Sequence, residues 1–139
     1  MKKLVLATLL AVGMTGTAMA EVDKDAVIKY RQSAFTIAVW NMGVLGDIEY
    51  NADEAKAAAV RINEMAKLVG DTFIDGTYEG SNAKAEIADE KEKFNCMLEN
   101  FVKESEAMLT AASEKKTLAP QMGKLGGTCK TCHDDFKLD

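Results

Sequence analysis

Residues 118–136 read LAPQMGKLGGTCKTCHDDF, and the fold class turns on this stretch. Leu118, Met122, Leu125, Cys129, Cys132 and Phe136 recur at steps of four and three, the period of one α-helical face. Thr117 is expected to cap this helix, with Pro120 in its first turn, where a missing N–H costs little. Working back, the segment from about Asn82 to Ala112 repeats the pattern through Ile87, Phe94, Met97, Leu98, Phe101, Met108 and Leu109. A further helix is expected after Asn51, which forms a capping box with Glu54 and precedes Ala55, Ala59, Ile62, Met65, Ala66 and Val69. Another runs from about Asp23 to Asp47. Between them, residues 70–80 carry Asp75-Gly76 and Glu79-Gly80 and read as a loop. Four amphipathic helices with short connections predict an all-α, antiparallel four-helix bundle. The single proline and 6% aromatic content argue against a turn-rich β-sandwich.

The start of the chain has another character. Lys2 and Lys3 precede the apolar run Leu4 to Val12, and Ala18-Met19-Ala20 supplies a small-x-small ending. This is the pattern of a signal peptide over residues 1–20, cleaved after Ala20. The run is too short to span a bilayer, which takes about 20 apolar residues. An exported chain without membrane insertion is expected, with one domain over residues 21–139. Loss of Lys2 and Lys3 takes the net charge from −5 to −7. That acidity argues against nucleic acid and anionic lipid as partners.

The chemistry lies in Cys129-Lys130-Thr131-Cys132-His133, the attachment pattern of a c-type haem. On a helix, positions i, i+3 and i+4 fall within about 60° of one another. Two thiols can therefore reach the vinyl groups of one haem edge while the imidazole turns to the iron. One covalent haem c per chain is expected, with His133 as axial ligand. A redox Cys-x-x-Cys pair would call for a βαβ setting, and no strand pattern occurs. A zinc site recruiting Cys96 would need adjacent Cys132 and His133 at one tetrahedral centre, which is awkward. A Cys129–Cys132 disulfide would crosslink a single turn. His133 is the sole histidine, so bis-histidine ligation within one subunit is excluded. A distal histidine acting as catalytic base is excluded too, and no enzymatic activity is expected.

A haem motif at the C-terminal end of a four-helix bundle resembles the class II cytochromes c, cytochrome c′ in particular. Tyr30-Arg31-Gln32-Ser33-Ala34-Phe35 resembles the opening helix of that family, and Asn41-Met42-Gly43-Val44-Leu45-Gly46 that of its low-spin relatives. The resemblance covers most of residues 23–138 and is weakest over the loop at 70–80. It implies a periplasmic protein. In the low-spin relatives a methionine four residues after the arginine binds the iron; Phe35 stands there in this chain. The resemblance therefore implies five-coordinate, high-spin iron that binds nitric oxide and carbon monoxide, with single-electron transfer to an unknown redox partner as a second role. Dioxygen would need a distal hydrogen-bond donor, which Phe35 lacks. Arg31 and Gln32 would face the haem propionates, with Asn82 a further candidate, and Lys137 would lie beside the proximal histidine. The alternative is a six-coordinate electron carrier with Met42 as ligand. Met42 shares the apolar stripe of Phe35 but lies seven residues on, about 10.5 Å along the axis.

Two surface expectations complete the reading. Ile28, Phe35, Ala38, Val39, Met42 and Leu45 form one apolar face of the first helix, and Tyr30, Ile37, Trp40, Val44 and Ile48 form another. A bundle helix needs only one stripe, so the second face predicts a homodimer through the first helix. Cys96 points about 200° from Phe94, among Glu92, Glu99 and Lys103, and is expected as a partly exposed free thiol with no role in haem attachment.

Overall fold

A computed structural model describes residues 22–46 and 49–138. The expected signal peptide lies outside the described residues, as do Asp47 and Ile48. The chain folds as an all-α, antiparallel four-helix bundle: α1 Lys24–Leu45, α2 Ala52–Val69, α3 Lys91–Ala111 and α4 Lys115–Phe136. Consecutive helices pack on one another, whereas α1 and α4 touch far less. A cavity lies at that loose seam.

The first two helices begin where a side chain can satisfy free N–H groups. Asp23 accepts from the N–H of Ala26 at 3.1 Å, and Asn51 accepts from Asp53 and Glu54 at 3.0 and 3.3 Å. Along α2, Ala55, Ala58, Ala59, Ile62, Met65, Ala66 and Val69 are all buried. Its alanines let α1 and α3 approach closely, and Phe101, Met108 and Leu125 complete the main core. Asn63 Nδ2 donates to Ser105 Oγ at 2.9 Å, so this buried polar pair is satisfied.

Two expected boundaries are corrected. The third helix starts at Lys91, not near Asn82. The backbone of residues 82–84 is engaged with the chain end instead: Lys84 N–H donates to Phe136 O at 2.9 Å, and Leu138 N–H donates to Asn82 O at 2.8 Å. The Ala83–Lys137 bridge is antiparallel and extended, which is incompatible with helix. A short 3₁₀ turn, Ala85–Ala88, follows and still buries Ile87. The fourth helix is flanked by Glu114, not capped by Thr117. The Thr117 hydroxyl lies 2.8 and 2.9 Å from the carbonyls of Ala111 and Glu114, so it serves the end of α3. Pro120 consequently sits in the second turn of α4 rather than the first, opposite a Lys116 carbonyl to which it has no N–H to donate.

Candidate functional site

Between α1 and α4 lies a cavity of about 690 Å³, roofed by α3 and closed at one end by the 73–83 loop. It falls within the roughly 300–1,000 Å³ range of sites for small molecules and cofactors. Its wall is largely apolar, with Phe35 and Met42 from α1, Phe94 and Phe101 from α3, and Leu125 from α4. Cys129, Cys132 and His133 all line it, because one helical turn brings them to one side of α4. Gly126, three residues before Cys129, also faces it, and a Cβ there would meet nothing within 4 Å. The helix surface beside the thiols is thus bare backbone over which a flat group can lie.

Burial raises the pKa of both thiols. For Cys129, hydrogen bonds from Thr128 and its own backbone oppose the effect. Cys132 is pushed up to about 11, with Cys129 and Asp135 adding to burial. His133 sits at the exposed edge of the cavity. Desolvation on its cavity side lowers its pKa, Lys137 lowers it further, and Asp134 opposes. The neutral imidazole, the form that binds a metal, is thereby favoured. Its ring centroid stands 6.5 Å from that of Phe35, edge to face. Phe35 offers only a hydrocarbon edge to that space. These residues fit a covalently held haem: two thiols and one imidazole from α4, a largely apolar cavity, and the Phe35 ring across from the imidazole.

Other expected site residues divide. Gln32, Asn82 and Lys137 are exposed at the cavity rim, with the Asn82 carbonyl accepting from Leu138. Met42 lines the cavity and is half-buried. Arg31 also reaches the cavity, and its described partners are acceptors of the 72–81 loop. It is only 3% exposed, and NH1 donates to Thr72 O at 2.7 Å and Thr77 Oγ1 at 3.1 Å. NH2 donates to Thr77 O at 2.7 Å and Ser81 Oγ at 3.2 Å. The fixed fork of a guanidinium can clamp several carbonyls of a loop at once, and that is its work here. Burial lowers its pKa, with Tyr78 opposing.

The sequence reading missed Phe73. Its ring lies 6.3 Å from Phe35 and 4.6 Å from Phe94, and Phe94 continues to Phe136 at 5.3 Å. An aromatic in a glycine-rich loop was the available signal, since a purely solvated loop has no need of one. Cys96 is exposed and free, as expected.

The family model described as Cytochrome C' matches residues 26–137 of this sequence. The chain belongs to the cytochrome c′ family. Its sequence is 35% identical to the cytochrome c′ of Halomonas halodenitrificans over 131 residues, covering 84% of this chain and 99% of that one. Among solved structures, it is similar to a cytochrome c′ with an unusual ligand-controlled dimer dissociation (TM-score 0.79, 26% identity, 86% of this chain and 100% of that one). It is also similar to a ferrous variant of cytochrome c prime from Alcaligenes xylosoxidans with bound NO. There the TM-score is 0.77 and the identity 29%, over 86% of this chain and 99% of the other. Membership of the cytochrome c′ family carries with it a c-type haem. Among the described residues no helix is long and apolar enough to cross a membrane.

Proposed function

We propose that this cytochrome c′ is a periplasmic protein with one covalent haem per chain, whose iron is five-coordinate and binds nitric oxide and carbon monoxide. The observation that carries this reading is the single cavity shared by Cys129, Cys132, His133 and the phenyl ring of Phe35. Cys129 and Cys132 would hold the haem as thioethers, and His133 would be the axial ligand. When bound, the haem iron supplies a site for a neutral diatomic and a one-electron couple. His133 keeps its lone pair because desolvation and Lys137 disfavour its proton. Phe35 covers the opposite side with hydrocarbon, excluding water and bulky ligands and offering no hydrogen bond to polarised dioxygen. Gln32 and Asn82 at the rim, with the remaining donor capacity of the buried Arg31, would serve the propionates. The NO complex of the Alcaligenes relative supports the ligand class. Residues 1–20 would direct export and be removed. Single-electron exchange with a redox partner is a compatible second role.

Mass spectrometry of denatured protein from a periplasmic extract tests the attachment. One haem retained per chain beginning at Glu21 is expected. A haem lost on denaturation would contradict it. Met42, half-buried on the same cavity, supports the competing six-coordinate reading. A low-spin spectrum abolished by Met42→Ala would establish that alternative.

A dimer through α1 belongs to the same proposal. Trp40 is 76% exposed, and Tyr30 and Ile37 are about half exposed, on a helix already packed on its other side. Val44, expected on this outer face, instead packs partly against the core, so Trp40 and Ile37 carry the patch. The dimeric relative supports the assembly.

A further inference from the structure

Phe35 does not stand alone over the cavity, and what backs it decides how it can move. Its described ring neighbours are His133 and Phe73, at 6.5 and 6.3 Å, each edge to face. A swing of the Phe35 ring towards the loop must displace Phe73. Phe73 is in turn confined. Phe94 lies edge-on to it at 4.6 Å, and the Arg31 guanidinium carbon sits 4.8 Å from its ring centroid. Arg31 also holds the carbonyl of Thr72, the residue just before Phe73, at 2.7 Å, and takes three more acceptors from Thr77 and Ser81. Those residues lie 41 to 50 positions away in sequence, so one side chain of α1 fixes the far loop to the helix that bears Phe35. Arg31 and Phe35 are i and i+4 on α1, hence neighbours on one face. The guanidinium, the loop ring and the distal ring form one contiguous chain of contacts.

We infer that Phe73, clamped by Arg31, is the positioning residue that limits the movement of Phe35 and so sets the size of ligand admitted to the iron. The inference rests on the proposed open iron. Small ligands pass with little ring movement, whereas a branched ligand needs Phe35 to turn into the space Phe73 occupies. Loss of Phe73 therefore acts on large ligands more than on small ones. A residue with a merely structural role would alter stability without that size dependence.

The test uses reduced holoprotein with carbon monoxide and tert-butyl isocyanide as small and bulky neutral probes. In Phe73→Ala, isocyanide association should rise severalfold more than carbon monoxide association, with the spin state unchanged. Phe35→Ala should raise both rates, and Phe73→Ala added to it should give little further gain, because contacting residues are non-additive. Arg31→Lys keeps the charge but loses the fork. It should speed amide hydrogen exchange over residues 73–81, a readout independent of ligand, and shift selectivity in the direction of Phe73→Ala. If Arg31→Lys does not fold, the two phenylalanine variants still decide the matter. Equal acceleration of both probes in Phe73→Ala, unchanged rates, or multiplying gains in the double variant would overturn the inference while leaving the open iron intact. A six-coordinate wild type that excludes carbon monoxide would overturn the proposed function, and this inference with it.

Discussion

Replacing Arg31 with leucine removes the guanidinium while keeping an apolar stem on α1. Four acceptors lose a donor, but they are not equivalent. The hydroxyls of Thr77 and Ser81 retain their own bonds to Ile74 O and Tyr78 O, at 2.7 Å each. The carbonyls of Thr72 and Thr77 lose their described donor, and both residues are only 3% exposed. An unsatisfied buried carbonyl costs about 1–3 kcal/mol. The lost contact with Phe73 adds about 0.5–2 kcal/mol. The variant recovers the cost of burying an arginine that has no described carboxylate partner, which offsets part of the loss. A net destabilisation of about 3 kcal/mol is expected, concentrated in the loop. Guanidinium chloride unfolding, followed by far-ultraviolet circular dichroism, measures it. A loss below about 1 kcal/mol, smaller than one stranded carbonyl, would refute the view that Arg31 is the clamp of this loop.

Trp40→Glu should convert a dimer to a monomer in sedimentation at micromolar concentration; a wild type that sediments as a monomer would end the interface proposal. Cys96→Ser should change stability by no more than about 0.5 kcal/mol and leave haem content intact, as for an exposed side chain without special partners. In the haem-free chain, Cys132 should alkylate slowly at neutral pH and accelerate towards about pH 11, chiefly because burial disfavours its thiolate. Its folded pKa lies above the ordinary value of 9.0. It therefore contributes stability that is complete below about pH 9 and lost as pH rises through about 11, which thermal melts of the haem-free chain across that range would reveal.

The bundle was legible because its period was written in large side chains. Phe94, Phe101 and Met108 recur every seven residues and are all buried in α3. The haem motif was equally legible, since Cys129, Cys132 and His133 must share a face on any helix. What escaped depends on contacts distant in sequence. Nothing local at Asn82 announces that its carbonyl will accept from Leu138, and that pairing displaces the start of α3 to Lys91. Arg31 reads locally as a cation seeking an anion. That neutral carbonyls also reach it shows only in the folded loop, whose turns place Gly76 and Gly80 at φ of 85° and 82°. Thr117 could cap either the helix before it or the one after, and three-dimensional position decides for the former.

The absorption and electron paramagnetic resonance spectra of the purified ferrous protein, before and after nitric oxide, test the central claim most directly. With Phe35 facing His133 and offering no ligating atom, the reduced protein should be high-spin and five-coordinate. Addition of nitric oxide should convert it stoichiometrically to a nitrosyl species. A sharp low-spin, six-coordinate ferrous spectrum that nitric oxide leaves unchanged would contradict the account.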